Sequence, residues 1–227
     1  MSKRVGLILS AGKETRFSDD KPKALSIVKD GMLLDLNRKL LQEYCDDVYV
    51  VCSTQNERWF KGYKRLIIES GYGCGDAVMK ALQQVPQYSQ VMIAWGDCIL
   101  QKQVIDDCFY KLEWPFDIVI PCTWEVSPYV RLKEIKGSIK VEFGKYGEVE
   151  GDGFHDYGFF YGDTHAILSA LEELCNEYRT KDGYKHKHGN EIEFLDIFNE
   201  TTIIGRIVPS TAIALSFNTK EELNEIR

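Results

Sequence analysis

Lys13, Arg16, Lys21 and Lys23 place four cations within eleven residues of a chain whose formal net charge is −7. They follow Leu7-Ile8-Leu9-Ser10-Ala11-Gly12, an apolar run that ends in small residues. A strand ending in this way lets backbone N–H groups approach an anion closely. At about 4 Å and an effective dielectric of about 20, each cation–phosphate pair gains roughly 4 kcal/mol before desolvation. Two or three such pairs would hold a triphosphate and steady the charge on a departing pyrophosphate. Pro22 fixes the backbone just ahead of Lys23 and makes it the better positioned of the last two lysines. A Walker loop is excluded: Gly6 to Gly12 is one residue too long, and Glu14 stands where Ser or Thr should ligate magnesium. No Gly-x-Gly-x-x-Gly follows a strand, so a dinucleotide site has little support.

A second chemical signal is Val91-Met92-Ile93-Ala94-Trp95-Gly96-Asp97, an apolar run ending in one carboxylate. Mg²⁺ needs hard oxygen ligands and borrows most of them from phosphates and water, so one Asp beside a phosphate loop is a sufficient anchor. Between these two stretches, Gly73, Cys74 and Gly75 lead into Asp76 and an apolar helical run, and would allow close approach to a planar ring. Near the end of the chain, Asn218 offers a carbonyl oxygen, but it is equally a natural cap for a terminal helix.

The elements that must position these groups alternate. Strands are expected at Val5–Ser10, Asp47–Cys52, Arg65–Ile68, Val91–Trp95 and Asp117–Cys122, and helices at Leu33–Tyr44, Asp76–Leu82 and Lys102–Lys111. Strand–helix alternation implies right-handed crossovers and an α/β fold, a predominantly parallel mixed sheet with helices on both faces. Ligands in such sheets bind beyond the carboxyl ends of the strands, which would gather the loops at 11–23, 71–76 and 96–100 on one edge. The second half differs. Ser138–Glu142 and Glu148–Glu150 flank Gly144-Lys145-Tyr146-Gly147 as a hairpin, Tyr157–Tyr161 is an aromatic strand, and Asp163–Tyr178 is an amphipathic helix capped by Asp163 or Thr164. A short helix over Ile192–Phe198, strands at Thr202–Val208 and Ala212–Phe217 and a helix from Thr219 to Arg227 complete the chain. With no repeat or linker, residues 1–227 are expected to form one domain, a nucleotide half to about 115 and an acceptor half from about 116.

At 227 residues with 44% hydrophobic and 28% charged residues, the chain can bury a large core. Its acidic balance repels nucleic acid and anionic membrane, and no apolar run approaches a membrane span. Seven cysteines without a Cys-x-x-Cys pair read as reduced thiols in a cytoplasmic protein. Nothing indicates whether it forms a homo-oligomer.

The first signature resembles that of the sugar-phosphate and related nucleotidyltransferases, whose fold is GT-A-like: a strand ending in Leu-Ala-Ala-Gly, then Gly-Thr-Arg-Phe/Met, then Pro-Lys. Ser10 replaces the first alanine and Glu14 the second glycine. The resemblance implies that Arg16 and Lys23 contact the triphosphate and stabilise the transition state, with Leu9, Ser10, Ala11, Gly12 and Lys13 cradling the nucleotide. Gly96-Asp97-Cys98-Ile99-Leu100 matches the Gly-Asp-x-x-Leu segment and implies Asp97 as metal ligand. Gly71–Val78 resembles the base-reading loop, and implies that Gly73, Cys74, Gly75 and Asp76 bind nucleotide. Ser216 occupies the usual place of a second metal aspartate, which leaves Asn218 as the implied partner. Glu150, Asp156 and Gly158 look like the Glu…Asn-x-Gly segment that contacts the acceptor, and Glu191 falls in a segment similar to Asn-Glu-x-x-Leu-Thr-Asp.

The function so implied is Mg²⁺-dependent transfer of a nucleoside monophosphate from a nucleoside triphosphate to a sugar 1-phosphate, giving a nucleoside-diphosphate sugar and pyrophosphate. A cytidylyltransferase for phosphocholine or another phosphorylated non-sugar is the nearest alternative. A nucleotide-binding regulator without catalysis, motivated by Glu14, Ser216 and Asp156, is the alternative of a different class. Trp124, Tyr129, Tyr157 and Phe160 could line an acceptor pocket or simply pack. His186 and His188 flank Lys187 in a basic loop over 181–189; without a Cys or carboxylate at ligand spacing, that loop reads as solvated and available to clamp an acceptor phosphate.

Overall fold

The structure, a computed structural model, describes residues 2–12, 21–69, 72–112, 115–135, 138–144, 151–213, 215–217 and 219–226. The chain opens with β1 (Arg4–Leu9), a 3-10 turn at Lys23–Leu25 and a small hairpin of β2 (Ile27–Val28) and β3 (Gly31–Met32). Then follow α1 (Leu33–Leu41), β4 (Asp47–Ser53), β5 (Arg65–Ile68), α2 (Cys74–Leu82), β6 (Gln90–Trp95) and α3 (Lys102–Phe109). The second half contains β7 (Ile118–Glu125), β8 (Val130–Ile135), β9 (Ser138–Phe143), β10 (Gly153–Asp156), β11 (Phe159–Asp163) and α4 (Thr164–Tyr178). A two-residue hairpin of β12 (Arg179–Thr180) and β13 (Gly183–Tyr184), α5 (Ile197–Glu200), β14 (Gly205–Pro209) and α6 (Lys220–Ile226) close the chain.

Ten strands form one mixed sheet in the order β5-β4-β1-β6-β11-β7-β10-β8-β9, with β14 beside β7. The strands from β5 to β6 are parallel, whereas β11 enters antiparallel between β6 and β7. The apolar runs of β1 and β6 are buried throughout their centres because helices cover both faces. Val5, Leu7, Val91, Ile93 and Phe160 pack against α2 and α4, and Ile8, Val50, Met92, Ala94 and Phe159 pack against α1 and α3. Asp163 caps α4 by accepting from His165 N and Ala166 N. Among the described residues, no helix is long and apolar enough to cross a membrane.

Ser138–Phe143 pairs with β8, while the expected hairpin partner Glu148–Glu150 lies outside the described residues. β8 is hard to see in sequence because Arg131, Lys133 and Glu134 interrupt its apolar pattern; Arg131 and Lys133 both pair with Glu142 of β9. The strand expected at Ala212–Phe217 is replaced, among the described residues, by a single bridge between Cys98 and Ser216 on the Asp97–Ile99 loop. The outer strand β9 is covered by Asn199 of α5, whose amide bonds both the N–H and the C=O of Val141.

Candidate active site

Parallel pairing of β1 with β6 sets Leu9 opposite Trp95, so the two chemical segments leave the sheet side by side. Gly96 N donates to Leu9 O at 2.9 Å. A Cβ on Gly96 would stand 2.5 Å from Leu9 O and 2.7 Å from Ser10 Oγ, so only glycine allows this approach. Pro22, at φ −55°, starts the short turn that carries Lys23, and the turn's Ala24 packs against Gly96. Lys23 Nζ then reaches Asp97 Oδ2 at 3.2 Å, across 74 residues of sequence. The Asp97 side chain keeps 30% of its exposure while Lys23 keeps 12%, which leaves a carboxylate at the surface beside a largely covered ammonium.

Two asparagines that the sequence reading missed hold this corner. Asn56 Nδ2 donates to Ser10 O at 2.6 Å while its Oδ1 accepts from Ser53 N. Buried Asn37 on α1 donates to Cys98 O at 2.7 Å and accepts from Leu100 N at 3.0 Å, clamping the loop that carries Asp97. Asn37 is signalled in the sequence only as a polar residue where helical periodicity expects an apolar one, and Asn56, in a turn, has no such signal. Ser10 is buried and its Oγ has no hydrogen-bond partner among the described residues. A buried hydroxyl left in this state is costly unless a ligand meets it. Ala11 is half-buried and Gly12 faces open space.

The described residues fit a hard divalent ion in one respect. Asp97 supplies an accessible carboxylate at a strand end, next to an orphaned hydroxyl and the backbone that would carry phosphates. The C-terminal segment passes beside it, with Phe217 N donating to Asp97 O and Ile99 N to Leu215 O. Asn218 itself lies outside the described residues, as do Lys13, Arg16 and Glu150.

Asp156 and Gly158 border the same corner. Gly158, at φ +66°, accepts from Trp95 N through its carbonyl and donates its own N–H to Asp156 Oδ1 at 2.8 Å. A Cβ here would lie 2.3 Å from Cys98 Sγ. Burial, then the Asp97 and Asp156 carboxylates, push the Cys98 thiol well above its ordinary value, so it stays protonated. Tyr157 and Phe160 are buried, whereas Trp124 and Tyr129 are exposed at the ends of β7 and β8.

The glycine loop is used differently from the expectation. A Cβ on Gly73 would meet Ile192 O at 2.4 Å, and one on Gly75 would meet the same atom at 2.9 Å. The missing side chains therefore admit the backbone of Ile192, which bonds Tyr72 O and Gly75 N. Asp76 is buried, with Tyr184 OH on Oδ1 at 2.7 Å and Lys80 Nζ on Oδ2 at 2.7 Å. Both of its oxygens are thus engaged inside the protein. Cys74 Sγ donates to Glu193 Oε2 at 2.9 Å, and burial, then Glu193, raise this thiol well above its usual range. Glu193 rather than exposed Glu191 is the acidic residue that meets this loop. The loop around Lys187 is also not a solvated clamp: Lys187 is held by Asp196 and Glu200, so its charge is neutralised within the protein.

The profile of the MobA-like NTP transferase domain matches residues 6–181. The chain belongs to that family. Bifunctional protein GlmU of Ruthia magnifica subsp. Calyptogena magnifica is 27% identical over 119 residues, covering 47% of this chain but only 25% of that protein. A crystal structure from Bacillus anthracis, whose assigned activity is glucose-1-phosphate thymidylyltransferase, superposes with TM-score 0.75 at 14% identity, covering 98% of this chain and 93% of that one. The inositol-1-phosphate CTP transferase of T. maritima superposes with TM-score 0.70 at 14% identity, covering 98% and 92%. These likenesses establish the nucleotidyltransferase fold.

Proposed function

We propose that this chain transfers a nucleoside monophosphate from a nucleoside triphosphate to a sugar 1-phosphate, releasing pyrophosphate and forming a nucleoside-diphosphate sugar. The observation that carries the reading is the 3.2 Å approach of Lys23 to Asp97 at neighbouring strand ends of an NTP transferase domain. An acceptor phosphate oxygen attacks the α-phosphorus in line, forming one P–O bond as the bond to pyrophosphate breaks. That oxygen is already ionised, so no general base is required. Lys23, and with it Arg16, neutralises the triphosphate and the departing pyrophosphate. The backbone over Ser10–Gly12 and the Ser10 hydroxyl orient the phosphates. Asp97 and Asn218 would hold Mg²⁺, which when bound offsets charge on the phosphate oxygens. Asp156 and Gly158 face the acceptor, with Glu150 and Glu191 completing its pocket. A cytoplasmic setting belongs to the same proposal and is supported by seven cysteines without a disulfide.

The acceptor class draws support from the Bacillus anthracis structure, while the inositol-1-phosphate CTP transferase of T. maritima favours a second reading, cytidylyl transfer to a phosphorylated alcohol. Pyrophosphate release, measured with four triphosphates against sugar 1-phosphates and phospho-alcohols, separates them. Turnover with a sugar 1-phosphate supports the first reading, and turnover with CTP and a phospho-alcohol alone replaces it with the second. Tight triphosphate binding without pyrophosphate release from any acceptor would leave a nucleotide-binding regulator instead.

A further inference from the structure

His186, Lys187 and His188 lie on a tight turn closed by paired bonds between His186 and Gly189. Asp196 and Glu200 supply from the following helical turns the carboxylates absent from the local sequence. Asp196 is fully buried, and the His186 side chain is only 2% exposed. His188 Nε2 stands 3.3 Å from Asp196 Oδ1, and His186 Nδ1 stands 3.6 Å from Asp196 Oδ2. One ligand atom from each of His186, His188 and Asp196 falls within 4.8 Å of the others. Ligands at about 2.0–2.2 Å from a tetrahedral ion lie about 3.3–3.6 Å apart, so the His188–Asp196 separation already suits a shared metal and the His186 ring needs only a small inward shift.

His186 turns Nε2 to Glu200 Oε1 at 3.1 Å, which leaves Nδ1 on the Asp196 side, buried and without a hydrogen-bond partner among the described residues. A carboxylate on the far nitrogen is also the arrangement that orients metal-bound histidines. The rings are held by Tyr178 against His186 and Phe143 against His188, each pair at 4.6 Å between centroids.

Lys187 Nζ is the cation now nearest, 2.8 Å from Asp196 Oδ1 and 2.6 Å from Glu200 Oε1. It does not hydrogen-bond His186 Nδ1, which has no partner among the described residues. Lys187 stands alone against two carboxylates, and its side chain, 43% exposed, can turn into solvent and leave its place to a divalent ion.

We propose that His186 Nδ1, His188 Nε2 and Asp196 form a site for a borderline divalent cation of the Zn²⁺ class, separate from the Asp97 corner, with Lys187 as its built-in competitor. Glu200 orients His186 and does not ligate. The site fastens the segment that runs to Ile192 and so closes over Gly73 and Gly75. It is independent of the transfer reaction and is read without any turnover.

The test is a Co²⁺ titration of the purified full chain, stripped of metal and held in excess Mg²⁺, followed by visible absorption. One equivalent should bind with the intense bands of a four- or five-coordinate nitrogen–oxygen site and no sulfur charge-transfer band, which excludes the seven cysteines. His188→Ala should weaken binding at least ~10-fold, and Lys187→Met should tighten it by about as much, with unchanged circular dichroism in both. The proposal is overturned if neither the wild type nor Lys187→Met binds. A sulfur band, or affinity indifferent to His188→Ala, overturns it equally.

Discussion

Asp97 and Asp76 are both acidic residues at the boundary between a strand or loop and the next element, and both pair with a lysine. Their surroundings differ. Asp97 remains 30% exposed, with Lys23 on one oxygen and a buried loop behind it. Asp76 is 1% exposed, with Tyr184, Lys80 and the Tyr72 N–H on its two oxygens. A carboxylate with lone pairs to spare and an open side can take a ligand. A saturated one fastens a loop. The contrast separates a residue fit for phosphate and metal chemistry from one that fixes the 72–76 segment against β13.

The largest effect that would break this contrast is on turnover. Asp97→Asn should lower pyrophosphate release at least ~10²-fold, about 2.7 kcal/mol of transition-state stabilisation, while the thermal midpoint changes little. Near-normal turnover would remove Asp97 from the chemistry. Lys23→Met should cost roughly 10- to 100-fold in the same assay, and most of the loss should appear in kcat if the ammonium acts on the departing pyrophosphate. A change confined to KM would restrict Lys23 to binding.

Asp76→Asn should act through stability. We expect a loss of about 2 kcal/mol in urea denaturation, reduced from that of a fully buried pair because the Lys80 side chain is 27% exposed and can reach water. Its kcat should stay within ~3-fold of wild type, and a larger fall with no loss of stability would return Asp76 to the nucleotide site. Smallest of all, Ser10→Ala should leave stability within ~0.5 kcal/mol, because Ser10 Oγ has no partner to lose among the described residues. It should raise KM for the triphosphate several-fold if the hydroxyl meets a phosphate. A stability loss above ~1 kcal/mol would instead show that the hydroxyl serves the fold.

The first half was largely readable because its strands are uniformly apolar and its helices periodic, as in β1, β6 and α1. The second half was less so. The charged pattern of β8 conceals a strand whose partner only the ladder with β9 reveals, and the 212–217 segment has strand-like composition but no neighbouring edge. Among the candidate site residues, Lys23 and Asp97 stood out beside apolar runs, and Gly158 through the family resemblance. Asn37, Asn56 and Glu193 did not, since each works by reaching a backbone or thiol tens of residues away.

The order of residues alone determined which side chains could meet a polyphosphate, and that they should lie at the carboxyl ends of parallel strands. Local hydrophobic pattern and chain chirality suffice for that. Tertiary structure alone decided which charges stay open and which are spent internally. It turned Gly73 and Gly75 toward Ile192, saturated Asp76, and set two carboxylates beside His186 and His188. Charge pairing and burial depend on distances across the fold, and sequence separation carries no information about them.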